Sequence, residues 1–186
     1  MRKVLFSMLI SLDGYYEDAN QSIDWHNVDA EFNVYAEALL NSVDTLLFGR
    51  VTYQGMASYW PTPDAIKNDP IIAAKMNSLQ KVVFSRTLDK AGWQNTRLVK
   101  GDAAHEVARL KQLSGKDMVI FGSSDLAAAL SAHGLIDEYM IMVNPIFLGS
   151  GKPLLKGIQG RLKLQLLNTK TFQNGNVMLT YGPIQA

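Results

Sequence analysis

Cysteine is absent from the 186-residue chain, which excludes disulfides and thiolate chemistry. Histidine is scarce: His26, His105 and His133 stand far apart, none in an H-x-x-x-H or H-E-x-x-H pattern, so no metal centre is expected. No apolar run approaches the roughly 18 residues of a membrane span. The opening Met1 to Ile10 is too short for a leader, meets Asp13 at once and has no small-residue cleavage site, so it predicts a first strand. A formal net charge of +1 gives no electrostatic footprint for DNA or RNA. Neither a membrane nor a nucleic acid is therefore an expected partner, and a cytoplasmic location is. The dinucleotide signature G-x-G-x-x-G is missing after the first strand. Gly149-Ser150-Gly151-Lys152-Pro153 imitates it but continues with Leu154, and proline stands where a P-loop needs Ser or Thr. A tight turn between late strands is the reading there.

What is present describes one α/β domain over residues 1–186. The chain is 47% hydrophobic and 19% charged, enough apolar material for a full core. Val4–Ile10 is nearly all apolar, as befits a strand covered on both faces. A polar loop is expected over 11–28, then an amphipathic helix over 29–40 with Phe32, Ala36, Leu39 and Leu40 on one stripe. A strand over 45–48, a helix over 52–58 stopped by Pro61-Thr62-Pro63, and a helix from Asp69-Pro70 to residue 79 follow. Further strands are expected at 81–85, 97–100 and 118–121, with helices capped by Asp102 and by Ser123 or Ser124 between and after them. The last third changes character. Strand patterns at 136–143, 162–167 and 177–181, with a hairpin signal at Gln173-Asn174-Gly175-Asn176, predict antiparallel strands added to a mostly parallel sheet.

Three strand-to-helix corners carry the chemistry. Leu46-Leu47-Phe48 ends in Gly49-Arg50-Val51-Thr52, Val83-Phe84 in Ser85-Arg86-Thr87, and Val119-Ile120-Phe121 in Gly122-Ser123-Ser124-Asp125-Leu126. A helix start offers unpaired N–H groups and partial positive charge. Glycine lets backbone approach a ligand, serine donates to phosphate oxygens, and arginine presents a planar fork. Each corner alone is equally well a plain turn or cap. On one sheet edge, where ligands of α/β proteins gather, they point together to a ligand with more than one phosphate.

These corners occur in order with Ser11-Leu12-Asp13-Gly14-Tyr15, Gly134-Leu135-Ile136-Asp137-Glu138-Tyr139 and Pro145-Ile146-Phe147-Leu148-Gly149. The ordered set resembles the dihydrofolate reductase-like superfamily, in particular the bacterial branch related to the riboflavin-biosynthesis reductase. The resemblance covers nearly the whole chain. It implies a mixed, mostly parallel eight-stranded sheet flanked by helices, with antiparallel C-terminal strands. It implies NADPH as cofactor, held by Gly49, Arg50 and Thr52, by Ser85, Arg86 and Thr87, and by Gly122, Ser123, Ser124 and Leu126, with Arg50 near the adenosine 2′-phosphate. It also implies a homodimer, for which the run from Glu138 to Pro145, apolar on both faces, is either a central strand or one paired across a subunit boundary.

On the substrate side the resemblance is looser. Counted back from Gly49, the pterin-binding carboxylate of dihydrofolate reductases falls on Asn33, and its supporting threonine on Ile141. A neutral amide cannot form that ion pair, so dihydrofolate is not the expected substrate. The 11–28 loop is a candidate lid, with Gly14 as hinge. Asp13 is the candidate proton donor or a turn former; Glu37 is a second acid or an exposed helix charge; Trp25 is a pocket wall or a core anchor. The expected activity is NADPH-dependent hydride transfer to the C=N or C=O of a small heterocyclic or carbonyl compound. The alternatives are a riboflavin-pathway pyrimidine reductase of the 5-amino-6-ribosylaminouracil type, whose substrate carries a ribose phosphate, and an NADPH-binding protein without catalysis.

Overall fold

The computed structural model describes residues 1–158 and 160–184. Ten strands and six helices follow in the order β1 (Val4–Ile10), β2 (Tyr15–Asp18), α1 (Ala30–Ser42), β3 (Val43–Gly49), α2 (Arg50–Tyr59), α3 (Pro63–Asn68), α4 (Pro70–Ser78), β4 (Gln80–Phe84), β5 (Thr96–Val99), α5 (Ala103–Lys111), β6 (Asp117–Phe121), α6 (Ser124–Ser131), β7 (Glu138–Val143), β8 (Gly151–Pro153), β9 (Leu164–Thr171) and β10 (Val177–Pro183). Eight strands form one sheet in the order β5-β4-β3-β6-β1-β7-β10-β9, and β2 pairs with β8 beside it. Pairings from β5 to β7 are parallel, whereas β10 runs antiparallel to both β7 and β9.

The apolar runs are explained by cover on both faces. Alternate residues Val4, Phe6, Met8, Leu47, Met118 and Ile120 pack under Val107 and Leu110 of α5 and Leu126 and Leu130 of α6. The intervening Leu5, Leu46, Phe48, Val83 and Val119 pack against Leu39 and Leu40 of α1, Tyr53 of α2, and Ile72 and Met76 of α4. Each fully buried side chain of this kind contributes roughly 1.5–3 kcal/mol. Side chains close the helix ends: Asp29, Thr62 and Asp102 accept from the amides of Phe32, Ala65 and His105. The buried ammonium of Lys81 donates to the carbonyls of Met76 (2.8 Å), Asn77 (3.1 Å) and Leu79 (2.7 Å), closing the C-terminus of α4 from below.

Three expectations change. The 11–28 loop contains a strand, β2. The helix before Pro61-Thr62-Pro63 stops as expected, at Tyr59, but a further helix, α3, begins at Pro63, where proline's missing N–H costs nothing at the first helical position. Gly151 to Pro153 joins no late strand to another; it is β8, paired with β2. Of the two readings of the 138–145 run, the sheet selects the central one, because β7 lies between β1 and β10. The edge strands are β5 and β9, of which β9 is the more exposed.

Candidate active site

Two of the three corners are stitched together. β3 and β6 are neighbours, and Ser123 Oγ accepts from the Gly49 amide at 2.9 Å while the Ser123 amide donates to Thr52 Oγ1 at 3.1 Å. Gly122 and Ser123 both adopt the left-handed conformation, at φ 60° and 56°. A Cβ on Gly122 would stand 3.3 Å from the Thr52 methyl, so only glycine sits there without strain. The starts of α2 and α6 are thereby set side by side, and neither has a side chain accepting from its first amides. Those orphan N–H groups are the elements of an anion site.

The third corner lies one strand further along, where β4 ends level with β3, Phe84 opposite Gly49. From β4 to β6 is two sheet spacings, about 10 Å. Ser85 closes its own turn: its Oγ accepts from the amides of Thr87 (3.2 Å) and Leu88 (2.9 Å). Arg86 is exposed and makes no hydrogen bond or ion pair among the described residues. Among the described residues the Arg50 guanidinium is bound only to Gln54 of its own helix, at 3.0 Å. Two guanidiniums without a carboxylate partner therefore border two uncapped helix starts, and this donor set fits a polyphosphate. Two residues of the expected set face elsewhere. The Ser124 hydroxyl accepts from the Leu155 amide at 2.8 Å, and the Leu126 side chain lies in the core, leaving only their backbone toward the edge. Asp125 in the first turn of α6 is exposed and of the wrong sign for an anion.

The residues expected around the substrate are spread over a wider area. Asp13 bridges two loops: it accepts from Ser11 Oγ (2.6 Å) and from the amides of Leu148 (3.1 Å) and Gly149 (2.7 Å). The Ser11 bond, followed by those two amides, holds its carboxyl below the usual range, so it is ionised at neutral pH. Asn33 is turned to α4, where its amide donates to Asp69 at 3.3 Å. Ile141 belongs to the core on the opposite face of the sheet from α1. Glu37 is half-buried on α1 without a hydrogen-bonding partner among the described residues. Trp25, also half-buried, lines a cavity of about 380 Å³ with Asp24, His26, Asn27, Asn144, Pro145 and Ile146, just beyond the ends of β1 and β7. A larger cavity of about 680 Å³ lies on the flank of α2, lined by Tyr53, Gln54, Asn77, Leu88 and Trp93 among others, none of them an expected site residue.

Two groups in this region had no part in the site expected from the sequence. His26 packs edge-on against Trp25 with ring centroids 4.5 Å apart, its Nε2 is buried without a partner, and burial pushes the imidazole down to about 4. Tyr35 projects from α1 toward β1 with its hydroxyl buried and outside hydrogen-bonding geometry. Burial pushes that phenol up to about 12, against a smaller downward pull from the Ser7 hydroxyl. A helical stripe signals that Tyr35 faces inward, but no sequence pattern shows that its hydroxyl goes unpaired.

Similarity to known proteins fixes the family of the chain. Residues 2–178 match the RibD C-terminal domain, and the chain belongs to that family. It is 31% identical to the YyaP protein of Bacillus subtilis strain 168 over 180 residues, covering 97% of this chain and 94% of that protein. Among solved structures it is similar to a Shewanella sp. PV-4 protein assigned to riboflavin biosynthesis, with a TM-score of 0.76, 26% identity and full coverage of both chains. The fold is that of dihydrofolate reductase: the Enterococcus faecalis enzyme, solved with NADP(H) and RAB-propyl, superposes with a TM-score of 0.66 at 15% identity, over 98% of this chain and 97% of that one. The chain is thus a reductase-family protein. Among the described residues no helix is long and apolar enough to cross a membrane, and no group of three or more His, Asp or Glu is placed to hold a metal ion.

Proposed function

We propose that this protein is an NADPH-dependent reductase of a nitrogen heterocycle of the aminopyrimidine class, related in chemistry to the reductase of riboflavin biosynthesis. The observation that carries the reading is the stitched pair of helix starts at Gly49 and Ser123, with the guanidiniums of Arg50 and Arg86, neither held by a carboxylate among the described residues, beside it. Membership of the RibD C-terminal family and the NADP(H) held by the Enterococcus reductase support it. The amides of α2 and α6 would hold the pyrophosphate, and the arginines the 2′-phosphate that distinguishes NADPH from NADH. The cofactor supplies the hydride. The chain's own residues bind and orient the reactants and keep water from them.

Asp13 is proposed here as a clip, not an acid. Ionised and engaged by three donors, it ties the 11–15 turn to the 146–149 loop and so fixes one wall of the site. That leaves the proton to water or to another group, and it is the observation that favours the second reading, cofactor binding without turnover. The two separate in one assay. NADPH oxidation followed at 340 nm, over a panel of aminouracils, pterins and small carbonyl compounds, should show turnover with an aminopyrimidine. Binding of NADPH without turnover on any of them selects the non-catalytic reading. Arg50→Gln and Arg86→Gln should each weaken NADPH binding about tenfold, a loss of about 1.4 kcal/mol, while leaving the weaker NADH affinity unchanged. Equal losses for the two nucleotides would count against the assigned 2′-phosphate contact.

A further inference from the structure

We infer that the cavity beyond β1 and β7 receives the flat face of an unphosphorylated heterocycle bearing N–H donors, and discriminates against the same ring carrying a ribose phosphate. The inference rests on the reductase reading and narrows its substrate class. It starts from position. The phosphate corners occupy the ends of β4, β3 and β6; β1 and β7 come next in the sheet, so the cavity continues the same row about 10 Å beyond β6. A dinucleotide laid along the edge with its phosphates at the corners has its reactive ring directed toward this end.

The cavity walls are fixed in place. The Trp25 indole N–H donates to the Ser22 carbonyl at 3.2 Å, and His26 packs edge-on against its ring. The next residue is anchored by hydrogen bonds to three asparagines. The Asn27 amide donates to Asn144 Oδ1 at 2.9 Å, its side chain donates to the Asn174 carbonyl at 2.7 Å, and its own carbonyl accepts from Asn176 Nδ2 at 2.8 Å. Asn144, 1% exposed, forms the floor with Pro145 and Ile146. A rigid indole beside a floor of proline and isoleucine suits a planar ring. At about 380 Å³ the cavity is at the small end of the range for small-molecule sites, roughly 300–1,000 Å³.

Charge decides the rest. Of the lining residues, Asp24 alone is charged, since His26 is held neutral by burial and no Lys or Arg takes part. A carboxylate at the rim accepts from ring or amino N–H groups in charge-assisted bonds. The same carboxylate repels a phosphate, and nothing in the lining offsets that repulsion.

The test uses the full chain saturated with NADP⁺, which cannot reduce a ligand. Binding of 5,6-diaminouracil and of its 6-(5-phosphoribosylamino) derivative is measured by calorimetry and by quenching of tryptophan fluorescence. The unphosphorylated ring should bind at least tenfold more tightly. Trp25→Ala should weaken it at least tenfold, and Asp24→Lys, at an exposed position, should reverse the preference; nucleotide binding by each variant shows that it has folded. Tighter binding of the phosphorylated compound overturns the inference. So do affinities that ignore Trp25→Ala, and failure of both rings to bind a protein that does bind the nucleotide. If the nucleotide itself does not bind, the reductase reading falls, and the inference with it.

Discussion

His26 makes the loop that carries it sensitive to acid. Its imidazole titrates near 4 in the folded chain because protonation would bury a charge without a partner. In the unfolded chain it titrates near the ordinary 6.5. The unfolded state therefore binds the extra proton first as pH falls, so stability is intact above about 6.5, declines between about 6.5 and 4, and loses up to about 3 kcal/mol from this group. Denaturant unfolding followed from pH 7 to pH 4 should show that decline, and His26→Gln should flatten it. Asp13 acts differently. Asp13→Asn keeps the shape but turns one oxygen acceptor into a donor facing the amides of Leu148 and Gly149 or the Ser11 hydroxyl. Amide hydrogen exchange should quicken in both tied loops, and kcat/KM should fall, while the pH dependence of kcat keeps its wild-type form. Loss of a fall in kcat with rising pH, the limb that titration of a general acid produces, would instead make Asp13 the proton donor.

At the scale of elements, the joint between β3–α2 and β6–α6 holds the site together. Gly122→Ala forces a left-handed alanine and a methyl against Thr52, and should cost about 1–3 kcal/mol in thermal or denaturant unfolding. Adding Thr52→Ser, which keeps the hydroxyl and removes the methyl, should recover the contact part of that loss but not the backbone part. Full recovery would show that the conformation at Gly122 carries no strain. This joint was legible in part. The glycine, serine and threonine are visible as corner motifs, and β1 and the cap at Asp102 follow directly from apolar runs and capping chemistry. That Ser123 Oγ takes up the Gly49 amide depends on β3 and β6 being neighbours, 70 residues and more apart in sequence, and no local pattern encodes it. β2 was hidden for the same reason: Tyr15-Tyr16-Glu17-Asp18 is too short to stand out, and it is a strand only because β8 comes back to pair with it. On α1, counting from Gly49 selected Asn33, yet the helix turns that side chain to α4 and sends Tyr35 toward the sheet.

For the molecule as a whole, the sheet ends in an open edge. β9 is exposed along most of its length, with Leu166 and Leu167 at 49% and 53% of full exposure. Unpaired strand edges carrying apolar side chains favour pairing with another chain, and we propose that β9 is where two copies meet. Sedimentation should give roughly twice the 20.6 kDa chain mass, and Leu166→Lys with Leu167→Glu should give the monomer; a wild-type monomer at micromolar concentration contradicts the proposal. The account as a whole depends on one nucleotide lying across β4, β3 and β6. Amide chemical shifts recorded while NADPH is added test this most directly. They should move at Gly49 to Thr52, Ser85 to Thr87 and Gly122 to Leu126, in a single saturating step. Shifts confined to the larger cavity around Tyr53, Asn77 and Trp93, or no shifts at millimolar NADPH, would contradict it.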